Sequence, residues 1–368
     1  MSKINKIVKP ENRKEAFRKA SLTKYGKVYK YFYNNYDNIE LFRVDTLDII
    51  KQNSSSFAFT RCVGDVFGVC TQEFQNAFFQ VVSGKGQEIN NIRTLHSSAL
   101  LGLLCFYSIN EENPLIIDMP FNNEKVKFEF DRVEFEKTNT VFEAKYRIPS
   151  VLSSIDIALY GKANNKKAVL YLESKFSEYL NVGDYSSADK KKRYEQFYKY
   201  LSGEDKKEDQ NFLKNCGVSY SYTNKKNTED GKLHINNTDE NKQHYCEGLK
   251  QMVSHTIGAV NSDEERREIY LAPILFDFGK LFDDPKDNAF TDYCDVYGKF
   301  AAGLKNLRDK LTTSNCYKDF FTDNNNTEAP LVRNKNKLFI SDKVLSYQEF
   351  FKKTDFKLPL SVKEYYNL

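Results

Sequence analysis

Residues 168–179 read AVLYLESKFSEY. The stretch opens as an apolar run, Ala168 to Leu172, and then turns abruptly to Glu173, Ser174, Lys175 and Phe176. A short run rich in Val, Leu and Tyr predicts a strand buried on both faces. Side chains alternate across a strand, so Glu173 and Lys175 project from one face, in line with Val169 and Tyr171. Charge at the end of a buried strand is expensive unless it is paired or put to use.

The residues upstream supply a partner. SSIDIALY at 153–160 sets Ile155, Ile157 and Leu159 against Asp156, Ala158 and Tyr160, and the polar GKANNKK at 161–167 joins it to the next strand. The two therefore pair as a hairpin, which carries Asp156 toward Glu173 and Lys175. Two carboxylates and a lysine at a sheet edge form a site for a hard cation with an ammonium beside it. That is equipment for hydrolysing a phosphodiester.

The constellation resembles the PD-(D/E)XK nuclease superfamily, in the form Ile155-Asp156 followed by Glu173-Ser174-Lys175. The longer string ESKFSEY at 173–179 is similar to that of a narrower bacterial group of type II restriction-endonuclease-like proteins. So are GKGQE at 84–88, SSAL at 97–100, FEK at 135–137 and SYQEFF at 346–351. The resemblance implies an α/β fold: a mixed central sheet flanked by helices, with a restriction-endonuclease-like αβββαβ core and an N-terminal helical elaboration. It divides the chain into that elaboration at 1–80, which carries no matching motif, and a nuclease domain at 81–368 with a polar insertion near 202–240.

The activity it implies is that of a Mg²⁺-dependent DNA endonuclease. Asp156, Glu173 and Lys175 would be catalytic, and Asp156, Glu173, the Ser174 carbonyl and Glu88 would hold the ion. Spacing by itself puts Glu88 only on the inward face of a helix. A helix expected from near Gln87 carries Ile92, Leu95, Ala99, Leu103 and Phe106 inward, and Glu88 lies one turn before Ile92. A carboxylate there complements a helix N-terminus equally well. Glu136 in FEK is a supporting-ligand candidate. The helix expected at 247–260 would cover the active face, making Gln251 a neighbour of the site; a surface polar pair with His255 is the plainer reading.

Lys190, Lys191, Lys192 and Arg193 share a helix with Tyr194, Phe197 and Tyr198 just after the key strand. They suit contact with DNA phosphates, or a merely solvated face. The implied substrate is double-stranded DNA and the implied setting restriction, with a cognate DNA methyltransferase encoded nearby; a homodimer is one arrangement left open. A repair or other defence nuclease would use the same chemistry. A non-catalytic DNA-binding protein on a nuclease scaffold is the rival of another class, against which the intact trio speaks. Absence of any Trp disfavours a sugar hydrolase.

Rival motifs fail on environment. Glu143-Ala144-Lys145, with Asp131 upstream, sits on the polar side of a half-exposed strand, and Glu204-Asp205-Lys206 lies in a solvated charge run. The chain is 29% charged and 40% hydrophobic, which suits a folded domain. A net charge of +4 neither announces nor excludes nucleic acid. Seven scattered Cys without a CxxC pair indicate reduced thiols, and His244-Tyr245-Cys246 lacks the second pair that zinc requires. No apolar run reaches membrane-spanning length and the basic start has no signal core, so a cytoplasmic protein is expected.

Overall fold

The apolar run at 168–172 becomes an interior strand of a mixed sheet. In this computed structural model the described residues are 68–69, 71–83, 97–142, 151–176, 178–180, 201, 212–215, 217–225, 228–235, 242, 246–262, 264, 267–279, 289–313 and 337–368. Glu88, Glu143, Lys145 and the basic group from Lys190 to Arg193 lie outside them, as do residues 1–67.

Helix α1 is Gln72–Ser83, with Phe74, Ala77, Phe78 and Val81 buried at helical spacing. Helix α2 is Ser98–Phe106. Strands β1 (Leu115–Phe121), β2 (Glu124–Phe142), β3 (Val151–Ala163) and β4 (Lys166–Lys175) follow as an antiparallel meander. A short helix α3 (Phe212–Asn215) leads to a separate two-stranded hairpin, β5 (Val218–Lys225) with β6 (Thr228–Ile235). Helix α4 (Cys246–Val260) then crosses to β7 (Glu268–Leu275), which pairs parallel to β4. The chain ends with α5 (Ala289–Thr313), β8 (Leu338–Ile340), β9 (Leu345–Ser346), α6 (Tyr347–Lys352) and α7 (Leu360–Tyr366).

The main sheet has seven strands, in the order β1-β2-β3-β4-β7, with β8 and β9 both parallel to β7. Alternation along β4 sends its side chains into two helical layers. Ser174 Oγ meets Tyr347 OH of α6 at 2.7 Å and the Ser98 carbonyl of α2 at 3.4 Å. Lys175 and Glu173 instead meet α4. Every β4 residue from Ala168 to Lys175 is buried, as a strand covered on both faces requires.

Four expectations need correction. The helix sought from near Gln87 to Phe106 does not run through Ser97. That residue is extended, with φ −76° and ψ 115°, and its hydroxyl accepts from Leu100 N–H, so it caps a new helix and breaks the face that tied Glu88 to Ala99. Alternation predicts two strands at 125–137 and 140–148; β2 is one strand of 19 residues through the supposed break. Its bulges near Asp131 and Val141, and a left-handed Glu136 at φ 52°, interrupt the pattern without ending the strand. The polar insertion holds a two-stranded hairpin where one short strand near 218–222 is expected.

Pro273 suggests an edge or irregular strand, yet β7 is interior. Phe276 N–H donates to the Lys175 carbonyl, which fixes the ladder phase and turns Pro273's missing N–H away from β4. It falls where β8 has ended at the partner of Leu271 and β9 has not begun at the partner of Ile274, so no ladder bond is lost.

Candidate metal and phosphodiester site

The β3–β4 ladder pairs Ile157 with Leu172, and one step further would oppose Asp156 and Glu173. There the pairing changes character. Because Lys175 bonds toward β7, the amide and carbonyl of Ser174 face β3. The Ser174 amide donates to Asp156 Oδ2 at 2.7 Å, so a side-chain carboxylate has taken the place of a backbone carbonyl. Asp156 is half-buried, and its Oδ1 accepts no hydrogen bond among the described residues.

Glu173 is 1% exposed, and both of its oxygens are engaged. Lys175 Nζ donates to Oε1. His255 Nε2 lies 2.6 Å from Oε2. An ionised carboxylate only accepts, so this ring nitrogen carries the proton. The other ring nitrogen, Nδ1, is hydrogen-bonded to Ser153 Oγ. Lys175 reaches further, donating to Gln251 Oε1 at 3.0 Å. Gln251 and His255, one turn apart on α4, thus hold the cation and the anion of one pair.

Burial opposes charge on Glu173, but Lys175 and His255 outweigh it and hold the carboxyl down at about 2. Burial likewise opposes charge on Lys175, and Glu173, Asp156 and Glu178 overcome it, pushing the ammonium well above its ordinary range. Asp156 goes the other way. Burial raises it, Glu173 and Glu136 add to the rise, and Lys175 and the Ser174 amide only partly offset them. The trio therefore holds one committed anion, one committed cation and one carboxyl short of a positive neighbour.

Pieces scattered along the chain meet here. Ser98 from SSAL and Tyr347 from SYQEFF both bond Ser174. Glu136 from FEK lies between Phe135 and Lys137, which pair with Ile157 and Ile155, and so stands across from Asp156. Its Oε2 accepts from Ser154 Oγ at 2.7 Å. Asp131, partner of the rival motif, is exposed at the bulge. Spacing alone places His255 beside Gln251 on the flank of α4; its burial at 2% and its bond to Glu173 are the features that reading misses. No sequence signal marks this, because Ser254, His255 and Thr256 interrupt the apolar positions of the helix. Residues 252–262 are all buried, so α4 is covered nearly all round and has little polar flank.

Among the described residues no group of three or more His, Cys, Asp or Glu side chains stands close enough to hold a metal ion. The donors nonetheless suit one hard cation at the β3–β4 opening: Asp156 offers an uncommitted oxygen, and the Ser174 carbonyl faces the same side. Glu173 could join them only by giving up one of the partners that now hold both of its oxygens. A Ser153–His255–Glu173 chain has the residue types of a nucleophilic triad, but Ser153 is 3% exposed beneath Gly258, where no acyl substrate reaches it. No family model, curated protein or solved structure matches the chain. Among the described residues no helix is long and apolar enough to cross a membrane.

Proposed function

We propose that the protein is a Mg²⁺-dependent DNA endonuclease of the PD-(D/E)XK type, acting in restriction. The observation that carries this reading is the convergence of Asp156, Glu173 and Lys175 where the β3–β4 ladder opens. The chain order of α2, the β2–β3–β4 meander, α4 and β7 supports the αβββαβ core. Asp156, Glu173 and the Ser174 carbonyl would hold the ion, which supplies Lewis-acid charge stabilisation and a more acidic water. Glu88 remains a proposed fourth ligand, and Lys190, Lys191, Lys192 and Arg193 proposed phosphate contacts.

The protein's own groups divide the remaining work. Glu173 and Asp156 favour the charged form of Lys175, which suits it to serve as a positive charge for the developing phosphorane. Gln251 aims that ammonium. Asp156, short of a positive neighbour, has most to gain from a cation.

Incubation of duplex DNA of varied sequence with the protein and Mg²⁺ or Mn²⁺ tests the proposal. Cleavage by the wild type should fall about 100- to 1,000-fold in Lys175→Ala. Equal cutting by both would remove Lys175 from the mechanism. One observation favours the non-catalytic DNA-binding alternative: both Glu173 oxygens are already satisfied by cationic or N–H donors. Tight DNA binding in Mg²⁺ without a single nick would establish that alternative.

A further inference from the structure

The two oxygens of Glu173 are held by different kinds of partner. Oε1 is held by Lys175, whose flexible stem ends 8% exposed and shared with Gln251. Oε2 is held by an imidazole whose far nitrogen is itself fixed by Ser153. That second arm is wholly interior: Ser153 is 3% exposed and His255 2%. Three residues after His255 on α4, Gly258 sets the approach. A Cβ there would come within 3.1 Å of Asn139 Cβ and 3.2 Å of Ser153 Cβ, so a bare α-carbon lets the helix lie against β2 and β3.

We infer that His255, braced by Ser153, is a positioning residue for Glu173. It fixes Oε2 and leaves Oε1 as the oxygen that exchanges between Lys175 and an incoming divalent cation. The inference rests on the metal-dependent reading of the site and adds a residue to it. One carboxylate can then serve two masters in turn without swinging out of its slot. The ring holds the oxygen on the buried side, and the lysine, on a long stem, yields the other. Freed from Oε1, the Lys175 ammonium keeps Gln251 as a partner and stays beside Asp156. A ligating carboxylate set by such an outer partner loses affinity for its ion when the partner is removed.

The test compares wild type, Ser153→Ala and His255→Gln in the full chain. Mn²⁺ binding is measured by calorimetry, thermal stability in EDTA by melting, and DNA cleavage across a Mn²⁺ series. Ser153→Ala and His255→Gln should each weaken Mn²⁺ binding about 10- to 100-fold. The KM for DNA should stay near the wild-type value, and saturating Mn²⁺ should return most of the Ser153→Ala rate. A Mn²⁺ affinity within twofold of wild type in Ser153→Ala, with a lower melting temperature, would make His255 a structural link and overturn the inference. Should His255→Gln fail to fold, Ser153→Ala decides alone. Wild type that takes up no Mn²⁺ overturns the metal-dependent reading first, and the inference with it.

Discussion

Glu136 stands across from Asp156 in the β2–β3 pairing, on a backbone turned to φ 52°. A non-glycine residue in that region is uncommon and costs on the order of 1–3 kcal/mol. The strand tolerates it at the point where a second carboxylate faces Asp156.

That crowding predicts a trade of stability against activity. Asp156 ionises against burial and against Glu173 and Glu136. Asn can still accept from the Ser174 amide without carrying charge. Asp156→Asn should therefore raise the melting temperature in EDTA by about 1–2 °C, the response of a domain this size to roughly 1 kcal/mol. The same variant should lose DNA cleavage. A lower melting temperature would mean that the Asp156 charge is satisfied as it stands.

Glu173 gives the opposite pH signature. Its carboxyl is held at about 2, below the ordinary carboxylate range near ~4.3. The stability it contributes is fully present above that range and is lost as pH falls toward about 2. Unfolding midpoints measured from pH 6 down to 2 should fall steeply in wild type and less steeply in Glu173→Gln. Parallel curves would show that Glu173 is not the group being titrated.

Tyr347 tests the layer on the other side of β4. Its hydroxyl bonds Ser174 Oγ at 2.7 Å in the interior, and the alternative partner, the Ser98 carbonyl, is 3.4 Å away. Tyr347→Phe keeps the ring among Phe106 and Phe351. The cost should be about 1 kcal/mol by chemical denaturation. An unchanged midpoint would show that Ser174 finds an equivalent partner.

Gly161 sits where β3 passes the bulge of β2. An added Cβ would lie 2.0 Å from the Glu129 carbonyl oxygen and 2.7 Å from Phe130 Cα, both backbone. Gly161→Ala should therefore cost more than the ~1–3 kcal/mol of ordinary overpacking, seen as loss of soluble, cooperatively melting protein. Near-wild-type melting would mean that the two strands separate there with ease.

The site strand was legible because its apolar run ends on charges, a local conflict that needs no partner to be noticed. Helices α1, α4 and α5 were legible from apolar residues at helical spacing, although in α4 burial extends past that stripe to every residue from Met252 to Val260. β1 was not legible: in LIIDMPF the exposed Ile116 and Pro120 blur a half-exposed alternation. β2 was misdivided because Glu136 and two bulges break a period that hydrogen bonding carries through. The bond between His255 and Glu173 spans 82 residues, and helical spacing says which residues share a face, not which strand that face meets. The Ser97 cap was readable in principle, but an apolar stripe on both sides of it argued for one helix.

The interruption opposite Pro273 also bears on how the molecule avoids its own copies. One margin of the sheet is made of pieces of three and two residues with a break between them, too little for a foreign chain to extend. At the other margin Pro120 removes a donor and Thr354 occupies the carbonyl of Ile116. Among the described residues, neither β1 nor the β8–β9 pieces offer the long row of unmet amides on which polymerisation begins; beyond β1, β2 continues the margin from Asp131 to Phe142, where Gln80 takes up the Phe135 amide.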